Sequence, residues 1–402
     1  MNVNLRQKRV ALVIAHLGAG GAQRVVTTAA NALVARGIDV HVVTIFNEPP
    51  DAYDLDPRVR RYRTSTPAFP ADVNGETKTE NGITASPAVP LAKPELLVRL
   101  SGRLGGLAAF GLSLARRSHW LRKTLRGIEP DAVLSFLTQT NILTLLATRG
   151  LSVRTVVSER NDPRRQNHRQ RVVFMRKMVY RWSDVVTANS LGAVDALGDF
   201  VPKKKLAFLP NPLSLDERAE PATFAAPTFI TVTRLVEQKG LDVLLRAAAR
   251  AFESLPGWRL AVVGDGPLRA ELQALADELG IAQRIDWLGQ VSNPAVYLKG
   301  AKFFVLTSRF EGSPNALLEA MACGLPAVVS DASPGPLELI GDDDNAGLIV
   351  PVEGVEATSA AIVRLAGDSA LRERLGQAAK ARTEIHKLDR AMEVWLELLK
   401  CA

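Results

Sequence analysis

Cysteine is almost missing from this sequence. Two in 402 residues, Cys323 and Cys401, cannot build a disulfide framework. No Cys/His cluster has zinc spacing. A reducing compartment is therefore the expectation. Long apolar runs are missing too. The longest mainly apolar stretch, residues 104–115, is 12 residues with three glycines, short of the ~20 that cross a bilayer. Near the start, residues 10–15 are apolar but run straight into Gly18-Ala19-Gly20-Gly21, too short for an export signal. The expectation is a chain that is soluble or lies on a membrane without crossing it. At 47% hydrophobic and 23% charged, the composition excludes disorder of the whole chain. The length suits two or three domains.

Acids are scarce in one half only. Residues 1–210 hold 31 Lys+Arg and 16 Asp+Glu, a net +15, and the remainder is −7, which returns the overall +8. Such a split suggests that the first half meets an anionic surface. Residues 103–126 carry six basic side chains and no acid, mixed with leucines, Phe110 and Trp120; residues 160–181 carry eight basic residues and one acid, with Phe174, Met175, Met178 and Tyr180 between them. Apolar residues interleaved with Arg and Lys fit a helix on an anionic membrane. They fit a core helix with a solvated basic face equally well. Nucleic acid is disfavoured, because no RNP-like, helix-turn-helix or zinc-finger pattern accompanies the charge.

The pattern that is present alternates strands and helices. Residues 9–15 form a short apolar run, Gly18 to Gly21 turn the chain, residues 22–36 are helical in period, and residues 40–46 form the next strand. Prolines 67, 70, 87, 90 and 94 mark an irregular insertion over residues 64–94. Strand-like runs resume at 132–136, 155–158 and 184–189. Pro210-Asn211-Pro212, Pro221 and Pro227 mark a linker over 211–227. A second series follows, with strands expected at 229–233, 259–263, 284–288, 303–307 and 327–330, and residues 371–399 helical in pattern. Two such series predict an α/β protein of two doubly wound domains, 1–210 and 228–384, facing each other across a cleft. Ligands in such sheets bind at the carboxyl ends of the strands.

Five polar stretches stand at expected strand ends. In Glu311-Gly312-Ser313-Pro314-Asn315…Glu319 a turn leads into a helix, whose free N–H groups and dipole suit a phosphate. The two carboxylates flank that cradle and could accept hydrogen bonds from sugar hydroxyls; a helix-start acid and a solvated acid have the same spacing. Arg234 and Lys239 share one loop and could grip a diphosphate, Arg as a fork and Lys as a point charge, or be surface charges. Gly264-Asp265-Gly266-Pro267 is a turn in any reading. Gly20 and Gly21 could let backbone N–H groups approach a phosphate from across the cleft. NAD is disfavoured, because no acid closes the second strand. Ser158-Glu159-Arg160 is the dense polar cluster of the first domain, and Asp162-Pro163 beside it also reads as a helix start.

In order and combination these stretches resemble the retaining glycosyltransferases of family 4, with two Rossmann-like domains in the GT-B arrangement. The match covers most of the chain. The Ser158-Glu159 run resembles bacterial members that extend polyprenyl-diphosphate-linked oligosaccharides or lipopolysaccharide. The resemblance implies that Arg234 and Lys239 hold the donor diphosphate and Glu319 the ribose hydroxyls. Glu311 would lie near the donor sugar, with Gly264, Gly266, Gly312, Ser313, Pro314 and Asn315 around the donor and Gly20 and Gly21 opposite. Ser158, Glu159, Arg160 and His16 would lie on the acceptor side. The implied donor is a nucleotide sugar, UDP-linked, carrying an N-acetylhexosamine. The implied acceptor is a lipid-linked glycan on the cytoplasmic face of the inner membrane. No cofactor and no metal are implied, since Arg and Lys can replace one electrostatically; Asp54-Leu55-Asp56 lies beside the insertion rather than at a strand end. The last residues, 385–402, commonly pack back on the first domain in this family. One position departs from it. Many relatives place a histidine directly after the Ser-Glu pair, where this chain has Arg160, so the usual histidine role at the reacting sugar is open; His16 and His168 are the candidates for it, and a lone histidine is more often structural. A nucleotide-sugar epimerase of the same architecture, or a non-catalytic nucleotide-sugar-binding protein, would carry the same motifs.

Overall fold

Runs such as RVALVI and AVLSF have almost no polar alternation, so they are stable as strands only where both faces are covered. The computed structural model has them so. It describes residues 7–46, 50–64, 106–164, 166, 169–216, 218–341 and 346–401. The proline-rich insertion from residue 65 onward, and His168, lie outside the described residues.

The first sheet is built from β1 (Arg9–Ile14), β2 (Asp39–Thr44), β3 (Arg60–Arg63), β4 (Ala132–Phe136), β5 (Arg154–Glu159), β6 (Val185–Ala188) and β7 (Leu206–Phe208). Their order is β3-β2-β1-β4-β5-β6-β7, and each pairing is parallel. The second contains β8 (Thr228–Val232), β9 (Arg259–Val263), β10 (Ile285–Gly289), β11 (Phe303–Leu306), β12 (Ala327–Ser330) and β13 (Gly347–Val350). Their order is β10-β9-β8-β11-β12-β13, again parallel. The chain is therefore two doubly wound α/β domains. Strands β3, β7 and β13 were not expected. β3 reads RRYR, a pattern that only an edge position tolerates; Arg61 and Arg63 there bind Asp51 at 3.1 and 2.7 Å.

Helices cover both faces of each sheet. The first domain has α1 (Gly21–Ala35), α2 (Gly106–Ile128), α3 (Thr138–Thr148), α4 (Gln170–Val179) and α5 (Leu191–Leu197). Alternate residues of β1 divide between two cores: Val10, Leu12 and Ile14 meet Val26 and Leu33 of α1, while Ala11 and Val13 meet Leu121 and Leu125 of α2. The second domain repeats this with α6 (Leu241–Ser254), α7 (Arg269–Glu278), α8 (Pro294–Gly300), α9 (Asn315–Ala322), α10 (Pro334–Ile340), α11 (Val355–Gly367) and α12 (Ser369–Arg382). Phe229 packs on the α6 side and Ile230 on the α9 side. The stretch expected as continuous helix to 399 is broken by a turn at Glu384–His386. After it, α13 (Leu388–Leu399) leaves the second domain. Met392 and Trp395 enter the core of the first, where Trp395 stacks on Phe136 at 5.9 Å and donates to the Pro210 carbonyl at 3.0 Å.

Each sheet reverses its strand order once, between β1 and β4 and between β8 and β11. Loops leaving the carboxyl ends of two such strands diverge to opposite faces and leave a crevice between them.

Candidate active site

At the reversal in the second sheet, the loop after β8 carries Arg234 and Lys239, and the loop after β11 carries residues 307–314. Short polar bonds tie the two loops together. Thr307 Oγ1 donates to the Gly240 carbonyl at 2.8 Å, and Gln238 Nε2 to the Phe310 carbonyl at 2.8 Å. The Lys239 ammonium lies 2.5 Å from Glu311 Oε1, which also accepts from Ser308 Oγ at 2.7 Å. Ser333 grips the Glu311 backbone twice, accepting its N–H and donating to its carbonyl. Glu311 is buried, so its carboxylate orientation is set by Lys239 and Ser308, and its backbone by Ser333, rather than by solvent. Arg309 fastens the loop from outside, bound to Asp242 at 2.8 Å and Glu353 at 2.5 Å; these carboxylates hold its guanidinium above its ordinary pKa.

Arg234 differs. It is exposed, and its guanidinium has no hydrogen-bond or ion-pair partner among the described residues. The turn at Gly264 and Gly266 packs beneath its loop. Gly264 has φ +125°, and a Cβ there would fall 1.8 Å from the Thr233 carbonyl oxygen; at Gly266 it would fall 2.5 Å from that of Leu235. Only glycine allows these two loops to lie one on the other. The structure thus places both turn glycines directly against the Arg234 loop.

The turn 312–314 delivers α9, whose first turn contains no acid. Its N–H groups at Asn315 and beyond are the positive end of a helix dipole. Gly312 and Pro314 are buried, and so is Ser313, whose hydroxyl has no partner among the described residues. Gly312 faces the other domain: a Cβ here would lie 2.3 Å from the Arg160 carbonyl oxygen and 2.9 Å from Asn189 Oδ1, which is buried without a partner among the described residues. The N-terminus of α1 meets that of α9. Asn315 Nδ2 donates to the Gly21 carbonyl at 3.0 Å, and Gly20 lies one residue earlier. Glu319, one turn further on, is buried and bound by Arg24 of α1 at 2.7 Å. Burial pushes the Glu319 carboxyl above the ordinary carboxylate range, and Arg24 opposes this. The direction set by burial prevails, because the carboxylate is enclosed while Arg24 remains partly in water. His16 stands in the loop after β1, where its Nδ1 accepts the Gly18 N–H at 3.1 Å, leaving Nε2 as the protonated nitrogen of the neutral ring.

Ser158, Glu159 and Arg160 close β5, but all three are buried. Glu159 lies inside the first domain. Both its oxygens accept from Thr138 Oγ1 at 2.9 Å, Tyr180 OH donates to Oε1, and Arg176 is 4.0 Å away. Burial raises its pKa against these partners. Its carboxyl group braces the ends of β4 and β5 from inside the first domain. Among the described residues Arg160 has no acid beside it. It donates to Ser158 Oγ at 3.2 Å and to Asn211 Oδ1, and lies over the Phe136 ring at 5.6 Å. Burial lowers its pKa to about 9.

Asn211, read from the sequence only as part of the linker, and Arg24 of α1 both join the domains. Asn211 Nδ2 donates to the Ser313 carbonyl at 3.0 Å and to Asn315 Oδ1 at 2.6 Å, and His386 Nδ1 is bonded to the Asn211 carbonyl at 3.1 Å. The linker therefore holds the turn that starts α9. The available signal was Asn211 between two prolines, a residue locked in extended backbone. On the far side of the interface Glu338 of α10 accepts the N–H groups of Leu191 and Gly192 at 2.7 and 2.6 Å. Among the described residues no group of three or more His, Cys, Asp or Glu side chains converges as a metal-ligand set.

The chain has counterparts among known proteins. Residues 217–382 match the family model described as glycosyl transferases group 1, and residues 20–212 the model described as glycosyl transferase 4-like domain. Over 275 residues the chain is 30% identical to an N-acetylgalactosamine-N,N'-diacetylbacillosaminyl-diphospho-undecaprenol 4-alpha-N-acetylgalactosaminyltransferase of Campylobacter jejuni, covering 65% of this chain and 74% of that one. A second Campylobacter jejuni protein, GalNAc-alpha-(1->4)-GalNAc-alpha-(1->3)-diNAcBac-PP-undecaprenol alpha-1,4-N-acetyl-D-galactosaminyltransferase, is 28% identical over 97% of this chain and 98% of its own. Of another relative, an exopolysaccharide phosphotransferase of Streptomyces coelicolor, the chain spans only 21% of the length, at 35% identity over 51% of this chain. Among solved structures, sucrose-phosphate synthase from Thermosynechococcus elongatus shares the fold with a TM-score of 0.74 over 98% of this chain and 100% of that one, at 18% identity. Two parallel-sheet domains, a crevice lined by the loops at both strand-order reversals, and these matches place the chain in the family 4 type of GT-B glycosyltransferases.

Proposed function

We propose that this glycosyltransferase works with retention, moving a sugar from a UDP-linked donor to a polyprenyl-diphosphate-linked or other lipid-linked glycan at the cytoplasmic face of a membrane. The observation that carries the reading is Lys239, held by the buried Glu311 of the loop that leads into α9, with Arg234 in the same loop after β8 and without a partner among the described residues. Two cations and oriented N–H groups at one crevice suit a diphosphate. The orphaned hydroxyl of Ser313 and the orphaned Asn189 oxygen at the same turn suit a polyhydroxylated ligand. The names of the two Campylobacter jejuni relatives support an undecaprenyl-diphosphate acceptor and an N-acetylhexosamine.

In the reaction the bond from the anomeric carbon to the diphosphate oxygen breaks, and both electrons leave with the nucleotide. Arg234, Lys239 and the α9 N-terminus offset the negative charge that grows there. The acceptor oxygen bonds the same face of the anomeric carbon, and its proton passes to the departing phosphate oxygen. No protein nucleophile and no divalent ion is needed for these steps. Glu311 holds Lys239 in position and lies beside the sugar, while Glu319 takes the ribose hydroxyls in exchange for Arg24. A transfer assay with UDP-N-acetylhexosamines and a polyprenyl-diphosphate sugar, run in chelator, tests this. The reading expects an α-linked product from an α-linked donor. Inverted product, strict dependence on a divalent ion, or conversion of the donor with no acceptor present would each contradict it.

A further inference from the structure

Seven large apolar side chains are strongly exposed among the described residues, and five of them lie in the first domain. Three of those five stand four residues apart: Phe174, Met178 and Trp182, at 64, 42 and 37% exposure. That spacing puts them in one stripe along α4 and the turn Tyr180–Trp182 that continues it. The opposite side of the helix is already used, since Val172, Arg176 and Val179 are buried. The stripe therefore contributes nothing to the core and costs solubility where it stands, which calls for a partner.

Its surroundings are cationic. Lys177 and Arg181 flank the stripe and are exposed. Lys205 donates to the carbonyls of Arg181 and Ser183 at 2.8 and 2.7 Å, which anchors the exposed Lys203 and Lys204 beside the end of the stripe. Arg149 lies 4.2 Å over the Trp182 ring. The neighbouring acids are occupied. Asp184 accepts the Thr155 N–H at 2.7 Å, and Asp195 and Asp199 face Arg164 at 3.1 and 3.8 Å. Aromatic and sulfur-bearing side chains between cations complement an anionic bilayer, with the apolar tips below the headgroups and the ammonium and guanidinium groups level with the phosphates.

We propose that this face of the first domain docks on anionic membrane by inserting Phe174, Met178 and Trp182. The helix starts beyond the crevice end of β5 and ends at the entrance of β6. A bilayer lying along it would therefore pass down the side of the first domain, with Phe174 towards the crevice. This deepens the lipid-linked acceptor reading and rests on it for its purpose, but docking is measurable without any reaction.

The test is co-sedimentation of the full chain with phosphatidylcholine vesicles, with and without about 30% phosphatidylglycerol. Binding should be at least about tenfold stronger to the anionic vesicles and should weaken at high salt. The triple variant Phe174→Ser, Met178→Ser, Trp182→Ser should lose at least about tenfold in binding while melting like the parent, because these side chains are outside the core. Lys203→Gln with Lys204→Gln should keep residual binding but lower its salt dependence. Parent-like vesicle binding by the triple variant overturns the proposal. So does absence of binding to anionic vesicles by the parent, or a stripe that captures RNA or a soluble protein while ignoring vesicles. Vesicle binding with no transfer to any lipid-linked sugar leaves the docking proposal standing and contradicts the acceptor reading; efficient transfer to a detergent-dispersed acceptor with no vesicle binding does the reverse.

Discussion

Glu159 shows how far one residue's chemistry departs from its motif. In the sequence it belongs to a polar run at a strand end, and the resemblance to family 4 sets that run on the acceptor side. Its actual partners, Thr138, Tyr180 and Arg176, are scattered through earlier and later segments, and no spacing rule brings them together. Lys239 and Glu311 were each legible as site residues for the opposite reason: they stand in loops that follow strands of one sheet, and such loops converge, although their ion pair with each other was not read from the sequence. The pKa of Glu159 is raised by burial, so the native state keeps a proton that the unfolded chain releases. Its contribution is thus fully present below the ordinary glutamate value and is lost as pH rises through the native one. Glu159→Gln removes that loss. Thermal melts between pH 4 and 8 should show the variant gaining on the parent as pH rises, and a pH-independent difference would show that the carboxyl is not held protonated.

At the level of elements, the buried strands were legible because Val, Ile, Leu and Phe runs admit few other fates. The edge strands were not. β3 is arginine-rich and β7 is three residues long, and each is stabilised by its neighbour rather than by its own pattern. The turn before α9 is the element on which the site depends. Its Gly312 touches the Arg160 carbonyl across the interface, so a side chain there blocks approach of the domains without disturbing either core. Gly312→Val should therefore leave the melting temperature and nucleotide binding within a few-fold of the parent. It should reduce transfer by at least about a hundredfold, because reacting groups held in different domains no longer meet. Parallel loss of nucleotide binding would mean that the turn fails locally instead.

Across the whole molecule, alternation of strand and helix and the proline-rich linker made two domains readable. How they are joined was less so. A helical pattern near the end of a chain says nothing by itself of which core it enters; the resemblance to the family implied the first domain, and α13 enters that core after a chain path through the second. Trp395 is fully buried there against Phe136. Trp395→Ala should cost about 3–5 kcal/mol, seen as a lower denaturant midpoint for the first domain. It should also loosen Asn211, whose carbonyl is held by His386 in the turn just before α13. If the second domain melts first instead, the helix belongs energetically to the domain that precedes it in sequence.

The account turns on a diphosphate gripped by protein cations. Calorimetric titration of UDP into the full chain in excess chelator tests this most directly. Binding should persist without divalent ions and weaken about tenfold or more in each of Arg234→Gln and Lys239→Gln, the loss of one charge-assisted contact apiece. UDP affinity that vanishes in chelator, or that neither substitution changes, would contradict it.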